Sequence, residues 1–161
     1  MDQNDRLTKS KEQWARARRG GEEREVFYEG DDRLPPGQHL VETWPVLDLG
    51  HKPEISLDEW RLTVGGAVTT AVTWTWADFL AQPQFKDVSD FHCVTSWSRY
   101  DNEWEGVGFK QLMTVVQPLP SARFVLFKSY DDYTTSLPLS ACQDDDVLLT
   151  YKWNGRPLTK E

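Results

Sequence analysis

The sequence has little cysteine, no long apolar run and no surplus of positive charge. Its two cysteines, Cys93 and Cys142, stand 49 residues apart, with no Cys-x-x-Cys pair for thiol–disulfide exchange. In a chain without an export signal a structural disulfide between them is not expected. No stretch of 18 apolar residues occurs, so no membrane-spanning helix is expected. Eighteen Lys and Arg against 26 Asp and Glu leave a net charge of −8, which argues against nucleic acid as a partner because phosphate binding rests on clustered cations. A small anionic substrate stays open, since a few cations converging on a pocket govern the field there whatever the global sum. Arg18-Arg19 has the look of a twin-arginine signal, but "GGEEREVFYEGDD" follows it, acidic where an apolar segment is required. A cytoplasmic location is therefore expected.

Common catalytic signatures are missing too. There is no Gly-x-Ser-x-Gly nucleophile elbow, and "VGGAV" lacks the spacing of a phosphate-binding loop. His39, His51 and Cys142 stand at no spacing that would complete a zinc site with His92 and Cys93. What the chain does have is tryptophan, eight in 161 residues, within a composition of 39% hydrophobic and 27% charged residues. That is the composition of a globular protein, of a length suited to one domain.

Residues 1–33 carry eight Lys and Arg and nine Asp and Glu with too little apolar surface to offset the entropy of ordering, and are read as a charged, disordered tail. "RLPPGQ" marks the boundary, and 34–161 is read as the domain. Within it, "EWRLTVGG" alternates Trp60, Leu62 and Val64 on one side of a strand ending at Gly65-Gly66. "VTWTWADFLAQP" passes from strand into a short helix capped by Thr75, with Asp78 three residues on and Pro83 as the stop. "DVSDFHCVTSW" reads as a strand with Cys93 at or near its end. "GFKQLMTVVQPLP" places Phe109, Leu112, Met113 and Val116 at helical spacing before Pro118. "RFVLFKSY" reads as a buried strand, "TTSLPL" as a short edge piece, and Val147 to Trp153 as a strand ending in an Asn154-Gly155 hairpin turn. Many short strands, few short helices and no βαβ alternation predict a sheet-dominated α+β fold.

Cys93 by itself has two readings, a small buried apolar group or a functional thiol, and composition leaves both open. His92 beside it points to the other face of a regular strand, so the two are poorly placed to share one metal. The ordered set around them is more specific. Phe91-His92-Cys93-Val94-Thr95-x-Trp97-Ser98 followed by Asp101-Asn102-x-Trp104-Glu105-Gly106-Val107 resembles the molybdopterin-binding domain of the sulfite oxidase family, in particular its short, haem-free bacterial members. "LPPGQ" with "WPVLDLG", "VLFKSYDDYTTSLPL" and "DDDVLLTYKWNGRPLT" extend the resemblance in the same order over about 34–161.

The resemblance implies a sulfite oxidase-type fold and a molybdenum-molybdopterin cofactor without haem. By match, Cys93 supplies a thiolate to molybdenum, the kind of soft anionic donor a metal already bound by dithiolene sulfurs accepts. His92, Ser129, Trp44 and Val46 match positions that approach the cofactor. The expected chemistry is oxo transfer on a small sulfur compound, by sulfite oxidation or sulfoxide reduction, with a separate electron carrier as partner. Arg99 is the nearest candidate cation for an anionic substrate; it reads equally as a surface residue paired with Asp101. Trp104 and Gly106 are expected to be structural, and Trp60, Trp74, Trp76, Trp97 and Trp153 to be core.

Family members continue past "GRPLT" with a His-Gly-x-Pro-x-Arg loop, whereas this sequence stops at Glu161. The fold is therefore expected to be incomplete at its C-terminus, with the strand from Val147 to Trp153 left unpaired along one edge. A fragment of a longer oxidoreductase is the expectation. The alternatives are a non-catalytic remnant acting through protein contacts and a simple thiol redox protein.

Overall fold

The computed structural model describes residues 33–45 and 52–159. In chain order the elements are β1 (His39–Leu40), β2 (Arg61–Val64), β3 (Val72–Thr75), α1 (Trp76–Leu80), β4 (Gln84–Cys93), β5 (Trp97–Gly108), α2 (Phe109–Val116), β6 (Phe124–Lys128), β7 (Thr134–Pro138), a 3₁₀ turn (Leu139–Cys142), β8 (Leu148–Trp153) and β9 (Arg156–Pro157). Sheet dominates, as the sequence predicts. The described residues form two compact units, the first from 33–45, Lys52 and 90–100, the second from 53–89 and 101–159. The long hairpin of β4 and β5 contributes its turn to the first and its open end to the second.

In the second unit, β2 and β3 pair antiparallel, setting Leu62 opposite Trp74 and Val64 opposite Val72. These four residues pack in or against the core, while Thr63 and Thr73 meet on the outer face with hydroxyls 3.3 Å apart. Thr75 ends β3 and starts α1 through a capping box: its hydroxyl accepts from the Asp78 amide, and the Asp78 carboxylate accepts from the Thr75 amide at 2.9 Å. α1 thereby delivers Phe79 into an aromatic group with Trp60, Trp76 and Tyr151. α2 buries Phe109, Leu112 and Val116 along one face, with Met113 packed beside them. It stops where Gln117 turns left-handed (φ 53°) before Pro118.

β5 and β8 pair antiparallel with a bulge between Glu105 and Gly106. The strands come so close there that a Cβ on Gly106 would stand 2.2 Å from the Leu149 carbonyl oxygen. No other residue fits this contact, which accounts for the glycine. Asn102 is fully buried; its carbonyl accepts from Trp153 Nε1 at 3.0 Å, and its amide donates to the Ser89 carbonyl at 3.3 Å. Cys142 is buried in the same core as a free thiol, and burial pushes its pKa up.

Three sequence expectations require correction. "RFVLFKSY" is not a buried strand: Val125 and Phe127 pack on the core, but Phe124 and Leu126 are each 70% exposed. Side chains alternate across a strand, and only one face of the β6–β7 pair is covered among the described residues. The strand ending at Trp153 is not left wholly unpaired, because the chain folds back after it. Asn154 (φ 48°) and Gly155 (φ 71°) form the expected turn, β9 pairs with Lys152 and Trp153, and the Leu158 amide reaches the Tyr151 carbonyl. Of the tryptophans expected in the core, only Trp74 and Trp97 are buried, while Trp60, Trp76, Trp104 and Trp153 are half-buried. The tail reading of 1–33 falls outside the described residues except for Arg33, which is ion-paired to Asp90.

Candidate cofactor site

Residues Pro35, Pro36 and Gly37 make a tight turn in the first unit, with the Gln38 amide on the Pro35 carbonyl at 3.1 Å and Gly37 left-handed at φ 78°. The turn feeds β1, which pairs parallel with the start of β5. β4 ends at Cys93, and the chain reverses through 94–96, closed by the Ser96 amide on the Cys93 carbonyl at 3.0 Å with Ser96 at φ 73°.

Strand alternation sorts the side chains around this reversal. Phe91 stacks on Trp97, with centroids 5.3 Å apart and planes 19° apart, while His92 Nδ1 meets Ser98 Oγ at 2.9 Å. Phe91, Cys93, Trp97 and Arg99 therefore share one face of the hairpin; His92 and Ser98 share the other. Trp44 stands edge-on to both Phe91 (5.3 Å) and Trp97 (5.7 Å). Arg99 donates to the Glu42 carbonyl and lies 5.7 Å from the Trp44 ring. On the opposite face Arg33 grips Asp90 with two nitrogens, at 2.6 and 2.9 Å, and covers the Tyr100 ring.

The hydrogen bonds below Cys93 define their own direction. Gln38 Nε2 donates to the Cys93 carbonyl at 3.2 Å, which orients the amide and leaves Gln38 Oε1 as an acceptor. Ser98 Oγ donates to that oxygen at 2.5 Å. Having one proton to give, Ser98 accepts from His92, which places a proton on His92 Nδ1. The backbone of Cys93 is thus tied through Gln38 and the fully buried Ser98 to His92. The half-buried Cys93 thiol lies 3.2 Å from the Thr95 hydroxyl.

The structure brings together Cys93, Arg99 and Trp44 of the expected residues, and sets His92 behind Cys93 as a support. Ser129 belongs to the second unit, where its hydroxyl donates to Asp131 and to the Tyr133 carbonyl in closing the β6–β7 turn. Val46 lies outside the described residues. Gln38 and Ser98, which carry no expected role, stand inside "LPPGQ" and the Phe91 to Ser98 set; a polar residue directly after a Pro-Pro-Gly turn is the signal that marks Gln38. Trp97 is expected only as core.

Trp97 is 7% exposed, and its Nε1 is a buried donor with no hydrogen-bond partner among the described residues. Nor do His, Cys, Asp and Glu side chains gather in groups of three or more that could hold a metal by themselves, among the described residues. Cys93 offers one soft donor on the strand face that also carries the Trp97 indole and Arg99. This set suits an anionic group that brings most of its own metal ligands, and a pterin dithiolene is such a group.

Comparison with known proteins defines the class. The model of the oxidoreductase molybdopterin-binding domain matches residues 49–161, and the chain belongs to that family. It is 35% identical over 130 residues to the uncharacterized oxidoreductase YuiH of Bacillus subtilis, covering 80% of this chain and 66% of that protein. It is 32% identical over 105 residues to the putative protein-methionine-sulfoxide reductase subunit YedZ1 of Azospira oryzae, covering 65% of this chain and 40% of that protein. The crystal structure of the sulfane dehydrogenase SoxCD from Paracoccus pantotrophus shares the fold, with a TM-score of 0.60 at 21% identity over 68% of this chain and 33% of that one. The chain thus spans at most about two thirds of the length of these relatives.

Proposed function

We propose that the chain is the cofactor-holding part of a molybdenum-molybdopterin oxidoreductase that transfers oxygen to or from a small sulfur compound, with Cys93 as the protein's ligand to molybdenum. The observation that carries this is the placement of Cys93 at the end of β4, its main chain held by Gln38, on the face that also carries the unpartnered Trp97 indole and Arg99. The names of two relatives, a methionine-sulfoxide reductase subunit and a sulfane dehydrogenase, support a sulfur compound as substrate.

When bound, the cofactor supplies two-electron oxo-transfer chemistry. The residues of this chain would do the rest. Cys93 Sγ donates one anionic sulfur, and the His92–Ser98–Gln38 chain keeps the Cys93 carbonyl in place so that the sulfur does not wander. The Glu42 carbonyl and the Trp44 ring hold Arg99, whose guanidinium would balance negative charge on a sulfite or sulfoxide oxygen. Sulfite oxidation takes an oxygen from water and releases two electrons and two protons, and sulfoxide reduction consumes them. Either direction needs a separate electron carrier, and the proposal includes no haem in this domain. We keep the cytoplasmic location as part of the same proposal.

The test is elemental analysis of the full-length protein made in a host that produces the pterin, beside Cys93→Ser. The proposal requires about one molybdenum per wild-type chain, and loss or a changed absorption spectrum in the variant. Wild-type protein free of molybdenum, or a variant with full metal and an unaltered spectrum, would refute it.

A further inference from the structure

Most buried polar atoms in a folded protein have a partner, and one left without is destabilising. Among the described residues one buried side-chain nitrogen is left without a partner, Trp97 Nε1. It is not a loose group that finds water by rotating. The ring is stacked on Phe91, capped edge-on by Trp44, and 7% exposed. Strand alternation also puts it on the face of Cys93, four residues away across the reversal. Cys93 itself does not satisfy it: the Sγ contact is to Thr95 Oγ1.

We infer that Trp97 is a cofactor-binding residue whose indole N–H donates a hydrogen bond to an acceptor atom of the anionic metal–pterin group. The inference rests on the proposed function and adds to it a donor that discriminates the bound group by charge as well as by shape. An N–H aimed at an anion forms one of the stronger hydrogen bonds. Because the nitrogen has almost no accessible surface without the cofactor, the inference includes a shift of the Trp44 ring that stands against Trp97, which opens the N–H to the acceptor on loading.

The experiment uses the full-length protein, with and without the cofactor and with no substrate present, labelled with ¹⁵N at the tryptophan indole nitrogens. Trp97→Phe identifies one of the eight indole signals by its disappearance. That signal is expected to move downfield and to exchange more slowly with solvent on loading. Trp97→Phe, and separately 3-benzothienylalanine at 97, which keeps the ring shape and deletes the N–H, are expected to release molybdopterin about tenfold faster, as loss of one hydrogen bond to a charged acceptor implies. Cys93-dependent absorption is expected to persist in both.

Three results overturn the inference while leaving the function standing: a loaded wild type whose Trp97 signal does not move, a signal already downfield and protected without cofactor, or a shift that appears only when sulfate or sulfite is added. The first two assign the acceptor to buried water or to the protein, and the third to the substrate. A wild type that takes up no molybdenum fails the proposed function itself, and this inference with it.

Discussion

Ser98→Ala is the most direct perturbation of the support beneath Cys93. The hydroxyl is fully buried, donates to Gln38 Oε1 at 2.5 Å and accepts from His92 Nδ1 at 2.9 Å. Alanine fits the same space, so no cavity term is added. His92 is exposed, and water can replace the lost acceptor on that side. Gln38 Oε1 is half-buried and loses its donor, which together with the lost bond costs about 2 kcal/mol. For a chain of this size that is a fall of roughly 4–8 °C in Tm, read by circular dichroism with urea titration as the independent measure. In a double-mutant cycle, Ser98→Ala and Gln38→Ala should be coupled by about 1 kcal/mol, because each removes the same bond. With the amide no longer held, Gln38 releases the Cys93 carbonyl, so native-state alkylation of Cys93 should speed up. Cys142, 1% exposed, is the internal control that should stay unreactive. A loss of stability below about 0.5 kcal/mol, or additivity of the two substitutions, would refute the relay as drawn.

Two further outcomes test the frame that carries the site. Gly106→Ala puts a methyl group 2.2 Å from a backbone oxygen that has no rotamer to move to; β5 and β8 must part, costing about 3 kcal/mol through overpacking and strained ladder bonds, and a variant within 1 kcal/mol of wild type in urea would contradict the close approach. Glu105 has its pKa lowered by its hydrogen bonds to Lys152 at 2.5 Å and Tyr151 at 2.8 Å, and Lys152 has its pKa raised by the same Glu105 contact. A depressed carboxylate stabilises fully above its ordinary pKa of 4.5, and that contribution is lost as pH falls through the lower folded value; the raised Lys152 contribution is present below 10.5 and is lost as pH rises through the higher folded one. Glu105→Gln should therefore flatten the acid limb of a stability–pH profile below about pH 4.5, and an acid limb identical to wild type would contradict the pairing.

Much of the local structure is legible residue by residue. Thr75 and Asp78 specify a helix start because a hydroxyl and a carboxylate three residues apart satisfy each other's backbone amides, and no distant contact is needed. Asn154-Gly155 specifies its turn because few residue pairs tolerate two positive φ values in succession. The burial of "RFVLFKSY" is not legible in this way, since four apolar residues in a row look alike whether one face or two are covered, and Phe124 and Leu126 are exposed. The partner of Ser98 is equally illegible: Gln38 lies 60 residues away, and no local propensity couples the two.

The sequence by itself determined the family and the ordering of its motifs, the thiol proposed to meet a metal, and the elements on either side of it, because these rest on residue identity and on interactions within a few positions. The tertiary structure alone decided which side chains share the face of Cys93, that His92 supports from behind, and that the Trp97 N–H has no acceptor among the described residues. Those are consequences of strand pairing, which converts distance along the chain into adjacency, and a single register shift would have placed every one of them on the opposite face.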